Sequence, residues 1–376
     1  MENASKSATV AETRATTLRA LERERETNSP RRVNPWIMAA ALTAAIVVIM
    51  FLSLSMGYLS IPFADIWNVL ARKIFWGAPS VSESLVTVIW DVRFPRLLTS
   101  LASGAALGLS GAIFQGILLN PLADPYTLGV SSGAAFGASI ILVLAIAFPA
   151  LGFLSSPLMP AAGAFVASVL TLVAVMALAA DREGRLPPPN LILAGVIMSA
   201  ILSAAISFIK YLAGDQVSSI IFWLLGSFQA RTWTEAALVF FFFVPALVMA
   251  IPAAMDLNIM TLGLRSAETL GVNTGRVRLR LLVAASIAAS ASVAVAGIIG
   301  FVGLIVPHLV RLLTGPDHRS LLPLSALGGA CLLAAADTVV RVFLPGEIPV
   351  GVLTALLAGP AFLVIFRRKM KDLVHV

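Results

Sequence analysis

The chain has 376 residues, of which 59% are hydrophobic and only 12% are charged, and its formal net charge is +7. Soluble domains carry about a quarter of charged residues, so the composition excludes an ordinary soluble enzyme and predicts a membrane protein. Apolar runs such as Trp36 to Met56 and Ala236 to Ala254 are long enough to cross a bilayer as helices. Because these runs do not alternate as barrel strands do, we predict an all-α polytopic membrane protein.

The first 34 residues differ from the rest of the chain, because arginines and glutamates alternate there without an apolar run. The glutamates argue against a mitochondrial transit peptide, and the apolar run that follows is too long for a signal-peptide core. The composition predicts a polar, disordered tail over residues 1–34. A transmembrane domain is predicted over residues 35–376.

The apolar segments predict about ten membrane crossings when prolines, glycines and charge clusters are taken as breaks. The predicted spans are residues 36–57, 96–118, 127–147, 159–180, 190–211, 236–254, 280–297, 304–314, 321–342 and 350–366. An even number of crossings places both termini on one side, and most of the 26 lysines and arginines then fall on that side. The positive-inside rule makes that side the cytoplasm, so the net charge does not require a nucleic-acid partner.

Two features of the spans predict unusual packing. The stretch GIIGFVGLIVP, from Gly297 to Pro307, predicts a broken helix at membrane depth, which is tolerated only where protein or a cavity surrounds it. Spacings of four residues, which let helix backbones approach closely in lipid, relate two groups of glycines: Gly104 with Gly108, and Gly129, Gly133 and Gly137. These glycines are predicted to pack helices tightly, and they do not specify a function.

The segment NPLADPYTLGVSSGAA, from Asn120 to Ala135, interrupts two strongly apolar stretches. Pro121 and Pro125 prevent a continuous helix, and the residues from Leu128 onward can start a new one. By itself this composition favours an ordinary turn between two spans.

The motifs of common catalytic sites are missing from the sequence. It has no GxxxxGK[ST] phosphate loop, no GxSxG or HExxH motif, and a single cysteine, Cys331. Its three histidines, His308, His318 and His375, are isolated, and such residues at helix ends are more often structural than metal ligands. We therefore predict no enzyme activity, no catalytic residue, no metal ligand and no cofactor bound by this chain.

An ion-coupled secondary transporter is the alternative from a different class, because such proteins place ionisable groups inside the membrane. Asp337 is the one acid well inside a predicted span, and Arg341 follows four residues later on the same helix face. A local ion pair between them is the simple explanation. One paired acid makes a poor proton relay, so the energy for transport is expected to come from another source.

Several stretches in order along the chain resemble the membrane subunits of type II ABC importers for iron–siderophores, haem and cobalamin. The resemblance runs from about Arg93 to Phe362. The matching stretches are RFPR at 93–96, GAALGLSGAIFQGILLNPLADPYTLGVSSGAA at 104–135, LILAGV at 191–196, WLLGSF at 223–228, AETLGV at 267–272, GFVGLIVPHLVRLLTGPDHRSLLPLSALGGA at 300–330, ADTVVR at 336–341 and EIPVGVLTALLAGPAF at 347–362.

The resemblance implies ten helices per subunit in a homodimer with one translocation path at its interface. It also implies two copies of a separate ATPase subunit on the cytoplasmic face, which bind the ATP and magnesium. A periplasmic binding protein would deliver the substrate to the outer face of the bacterial inner membrane. These partners agree with the missing phosphate loop and the missing membrane acids.

The resemblance also implies roles for particular residues. Asn120 and Leu122 are expected to form a cytoplasmic gate near the dimer axis. The cytoplasmic loop at about 255–280 is expected to couple to the ATPase, through Gly263, Ala267, Glu268, Leu270, Gly271 and Val272. The chain departs from the family pattern directly after Gly263, where the family often has an acid and this sequence has Leu264 and Arg265. Three outer arginines, Arg93, Arg96 and Arg341, are expected to bind carboxylates of the binding protein.

The substrate stays open at this point. Ferric siderophores and haem are equally compatible with the motifs, and cobalamin importers share most of them. The three histidines all fall near the inner side, so they do not distinguish a haem path from the others.

Overall fold

The computed structural model describes residues 32–57, 59–75, 81–344, 346 and 348–374, and every regular element among them is helical. The predicted tail lies outside the described residues as far as residue 31. Seven helices make up the first part of the chain: α1 Pro35–Ser55, α2 Phe63–Phe75, α3 Glu83–Ile117, α4 Val130–Ala147, α5 Leu158–Ala179, α6 Pro188–Ala213 and α7 Val217–Leu224. Seven more follow: α8 Trp233–Ala250, α9 Ala254–Met260, α10 Leu264–Thr269, α11 Thr274–Ala296, α12 Val302–Thr314, α13 His318–Phe343 and α14 Val350–Val374.

The all-α membrane architecture predicted from the sequence is confirmed. Within the described residues, eight helices are long and apolar enough to cross a membrane, namely α1, α3, α4, α5, α6, α8, α11 and α13. Two shorter apolar helices, α12 and the Val350–Pro360 part of α14, occupy the places of the other two predicted spans. The short helices α9 and α10 lie in the predicted cytoplasmic loop.

Helix α3 lies at the centre of the bundle. In its most apolar stretch 94% of the residues are buried, against 11% in α1 at the periphery. It packs against α8, α11, α12 and α13. Because α3 is enclosed by protein rather than lipid, it can carry serines and small residues that a lipid-facing helix has no reason to keep.

Glycines allow the backbones in this core to touch. A Cβ on Gly104 would lie 2.2 Å from the carbonyl oxygen of Gly329 in α13, and a Cβ on Gly108 would lie 2.1 Å from that of Ser325. Gly137 approaches the carbonyl oxygen of Gly163 in α5 in the same manner, whereas Gly133 makes room for the Thr171 side chain of that helix. Gly129 has a different role, because it has φ +76° and starts α4 from the left-handed region, where glycine is favoured.

Two helix boundaries differ from the sequence prediction. The second span begins at Glu83 rather than residue 96, and a π-helical stretch, Thr87–Arg93, leads into the straight part of α3. The charged residues around Arg93 suggested a loop, but the structure buries that arginine inside the bundle. The seventh span likewise begins earlier than predicted, at Thr274, because its arginines continue the helix.

The predicted break after α11 is present. The helix ends at Ala296, Gly297 has φ +75°, and α12 starts only at Val302. Phe301 directly before α12 has φ +68°, a left-handed conformation that is uncommon for a bulky residue. The non-helical backbone is enclosed by protein, because residues 223–226, at the end of α7, approach Gly297 and the following residue closely.

Candidate functional site

The segment after α3 is a compact turn with its own hydrogen bonds. Asn120 accepts a hydrogen bond from the backbone N–H of Leu122 through its side-chain oxygen, at 2.9 Å, while its carbonyl oxygen accepts from Ala123. This Asx turn holds Pro121 and Leu122 outward, and Leu122 is 40% exposed. The structure therefore places both predicted gate residues on one turn, with an apolar side chain projecting from it.

Asp124 organises the second half of the same segment. Its carboxylate accepts from the backbone N–H groups of Tyr126 and Thr127, at 3.1 and 2.9 Å, and so caps the short 3-10 helix Pro125–Leu128. Burial raises the pKa of Asp124 to about 6 despite these hydrogen bonds. The Tyr126 hydroxyl donates to the carbonyl oxygen of Ile299. A hydrogen bond therefore attaches the segment that follows Asn120 directly to the helix break after α11.

The predicted coupling region contains two short helices, α9 and α10, joined as a hairpin. Gly263, with φ +104°, turns the chain from α9 into α10, and Gly271, with φ +87°, ends the next turn. Helix α10 starts at Leu264, directly after Gly263. Ala267 is fully buried in the same core as the membrane helices, and its carbonyl oxygen accepts from the N–H of Val272, which closes the turn after α10.

The opposite side of the hairpin is exposed and apolar. Leu262 and Leu270, in the turns on either side of α10, are 67% and 63% exposed. Glu268 is exposed too, and its carboxylate accepts from the Thr274 hydroxyl at 2.8 Å. The hairpin therefore presents two exposed leucines and a carboxylate on its open side.

A polar contact that the sequence analysis did not contain ties α9 to the start of α13. The Asn258 amide donates to Asp317 at 2.7 Å and accepts from the backbone N–H of His318 at 2.9 Å. A side-chain hydrogen bond from Arg319 is the main cause that lowers the pKa of Asp317 to about 2. His318 packs against Gly116 near the end of α3, so it is a structural residue beside the turn that starts at Asn120.

The outer arginines face into the bundle. Arg93 is 7% exposed, and its guanidinium donates to the backbone carbonyl oxygens of Leu54, Ser55 and Leu59 at and after the end of α1. Arg341 donates to the carbonyl and the hydroxyl oxygen of Ser53. These contacts satisfy carbonyls that a helix end leaves without intrahelical donors.

Asp337 is bound by an arginine from another helix. Arg96 in α3 donates through Nε and Nη2 to its two carboxylate oxygens, both at 2.9 Å, and the two side chains are 9% and 4% exposed. The sequence analysis paired Asp337 with Arg341 one turn along the same helix. The structure instead gives it a bidentate partner 241 positions away, which joins α3 to α13.

A bundle of apolar helices with an interrupted helix enclosed inside it is the architecture of a polytopic membrane protein. The chain belongs to the FecCD transport family, whose model matches residues 45–368. It is thus a permease of the ABC importer type, in which the ATPase is a separate component and the permease itself is not an enzyme. Such a subunit is a multi-pass protein of the inner membrane.

Curated relatives extend over nearly the whole chain. The hemin transport system permease protein HmuU of Yersinia pestis is 39% identical over 91% of this chain and 98% of its own length. The cobalamin import system permease protein BtuC of Halobacterium salinarum is 41% identical over 79% of each chain. Among solved structures, a metal-chelate type ABC transporter in an inward-facing conformation has a chain that matches with TM-score 0.73 and 31% identity, over 89% of this chain and 99% of that one.

Proposed function

We propose that this permease moves an iron chelate, either a ferric siderophore or haem, from the periplasm to the cytoplasm. The observation that carries the proposal is the similarity to the hemin permease, which extends over 98% of that protein. A cobalamin permease is equally similar over a shorter length, so cobalamin is the alternative substrate. An ion-coupled mechanism has less support, because Asp337 is engaged by Arg96.

The transport path is proposed to lie at the interface of a homodimer, with the turn of Asn120 and Leu122 as its cytoplasmic gate. The exposed Leu122 supports this role, since an apolar side chain held outward by an Asx turn can meet its symmetry mate across a two-fold axis. The hairpin around α10 is proposed to receive the ATPase through Leu270 and its neighbours, and its exposed leucines support that role.

The three outer arginines are proposed to bind carboxylates of a periplasmic binding protein. Each already has acceptors inside the chain, so docking would require a guanidinium to share or exchange an acceptor. Arginine is suited to this because it has five donors in a planar fork. The role predicts that Arg341→Lys slows association of the binding protein more at low than at high salt, since rim charges mainly steer encounters.

Reconstitution tests the proposed function. The chain, its ATPase subunit and its binding protein are placed in liposomes, and haem, a ferric hydroxamate, a ferric catecholate and cobalamin are offered in turn. We expect ATP-dependent accumulation of haem or one ferric chelate, and no ATP hydrolysis by the isolated chain. Cobalamin accumulation alone would replace the proposed substrate. Uptake driven by a proton gradient without ATP would contradict the ABC mechanism.

A further inference from the structure

A groove on the cytoplasmic side lies beside the coupling hairpin. It has a volume of about 740 Å³ and is formed by three parts of the chain: the turn between α5 and α6, helix α10, and the first turns of α11. We call it the inner groove. Since the candidate membrane spans α5, α6 and α11 begin or end beside it, we expect the groove to lie near the level of the lipid phosphates on the cytoplasmic side.

A buried cation lines the inner groove. Arg278 is 4% exposed, and its Nη1 donates to the carbonyl oxygen of Leu186 at 2.8 Å. Its Nε and Nη2 are buried and have no hydrogen-bond acceptor within the described residues. Leaving donors of a charged group unsatisfied in a buried position is unfavourable, so an acceptor from outside this chain is expected there.

The start of α11 points additional donors toward the same place. Thr274 and Gly275 line the groove one turn before Arg278, and the first N–H groups of a helix have no partner within it. Asn273 caps the helix by accepting from Arg276, which leaves the earlier N–H groups of the turn for a ligand. The helix dipole also favours an anion at this end.

The net charge of the groove lining indicates which ligand charge the groove suits. Asp181 accepts hydrogen bonds from Arg185, and Arg185 also pairs with Glu183 outside the groove, so Asp181 and Arg185 largely neutralise each other. Glu268 accepts from Thr274, and its carboxylate also attracts the Arg278 guanidinium electrostatically, while the exposed Arg265 belongs to the same lining. The lining contains three arginines and two acids, and this excess of one positive charge matches a singly charged oxyanion.

We propose that the inner groove binds a phosphate group, through Arg278 and the N-terminal turn of α11. The apolar side chains that complete the lining, Leu186, Pro187, Pro188, Leu264 and Val272, suit the glycerol and first carbons of a phospholipid. Free inorganic phosphate has the same oxyanion chemistry and is the second source. The proposal concerns a separate ligand, so it holds or fails independently of which substrate is transported.

Binding to the full-length chain in detergent, after removal of co-purified lipid, tests the proposal. Inorganic phosphate and short-chain phosphatidylglycerol are titrated separately at constant ionic strength, with calorimetry as the readout. We expect Arg278→Gln to weaken binding at least about tenfold, which corresponds to the loss of one or two hydrogen bonds to a charged group. Arg276→Gln is the matched control, because Arg276 is an exposed arginine two residues away that does not line the groove. It should bind as the unchanged chain does.

A second variant guards against misfolding of Arg278→Gln. Arg265 is exposed at the rim, so Arg265→Gln should fold and weaken binding by a few-fold, since it removes the excess positive charge. Tighter binding of phosphatidylglycerol than of inorganic phosphate would identify a lipid headgroup as the natural ligand. The reverse order would identify free phosphate, and either order supports the site.

Three results would overturn the proposal. One is that neither compound binds the unchanged chain. Another is that Arg278→Gln and Arg276→Gln bind equally well. The third is that Arg278→Gln binds phosphate normally but fails to assemble with the ATPase subunit, which would make Arg278 the partner of an ATPase carboxylate instead.

Discussion

Replacing Asp337 by asparagine tests how the two central helices are held together. The aspartate lies in α13 and the arginine that binds it, Arg96, lies in α3, with both side chains less than a tenth exposed. Asparagine keeps the size of the side chain and removes its charge. The Arg96 guanidinium is then left in a buried position without its carboxylate.

The structure allows the cost to be estimated. Two opposite charges about 4 Å apart interact with about 4 kcal/mol at an effective dielectric constant of 20, and removing one partner of a buried pair typically costs about 3–5 kcal/mol. We therefore expect Asp337→Asn to lower the free energy of unfolding by about 3–5 kcal/mol. Replacing both residues together should cost less than the sum of the single changes, because the pair is coupled.

Unfolding of the purified chain in mixed micelles, titrated with denaturing detergent, measures these differences. The matched control is Glu83→Gln, which removes an ion pair with Arg72 of similar length, 2.7 Å, but with side chains 37% and 79% exposed. An exposed pair contributes about 0–1 kcal/mol, so this variant should unfold almost as the unchanged chain does. If Asp337→Asn costs no more than Glu83→Gln, or if the double variant is simply additive, the assignment of the pair is refuted.

Three further predictions concern the cytoplasmic side. Cysteine at Leu122 should cross-link between subunits and block uptake while the complex stays assembled, whereas uptake with the cross-link fully formed would contradict the gate. Leu270→Asp should lower ATPase binding at least about tenfold, because a buried charge without a partner costs more than about 1.4 kcal/mol at an interface, and Leu270→Met, which keeps this exposed position apolar, is the control in a pull-down of the ATPase subunit. The lowered pKa of Asp317 stabilises the folded chain above pH 4, and this contribution should be lost as the pH falls toward about 2. In thermal unfolding, Asp317→Asn should therefore show a shallower loss of stability in that range, and an unchanged pH profile would refute this role.

Much of the architecture could be predicted because hydrophobic length and charge bias specify it. Apolar runs of about 20 residues locate spans whatever their neighbours are, and glycine and proline clusters mark breaks such as the one at Gly297. Boundaries near charged residues were harder to predict. Arg93 and Arg278 resemble loop residues in a sequence, yet each lies within a helix and is buried by contacts with distant parts of the chain.

The contacts of the functional residues could not be predicted, because they depend on tertiary structure. The i, i+4 rule pairs Asp337 with Arg341 since both lie on one helix, whereas the partner shown by the structure comes from α3. The link between Asn258 and Asp317 also joins residues far apart in sequence, by 59 positions. No sequence motif around Asn258 or Asp317 predicts that these two residues form a hydrogen bond.

These contacts connect the helices on the cytoplasmic side of the protein to the turn that starts at Asn120. Leu257 in α9 and His318 in α13 both approach Gly116, where a Cβ would lie 3.3 and 2.9 Å from their side chains. The gate turn begins only four residues after Gly116, and Tyr126 attaches its far end to the helix break at Ile299. Helix α9, which leads directly into α10, is therefore connected to the start of the Asn120 turn through packed side chains, and a separate hydrogen bond connects the far end of that segment to Ile299. Close-packed interiors have low compressibility and transmit strain, so we expect a small shift of α9 to be felt at residues that pack against Gly116.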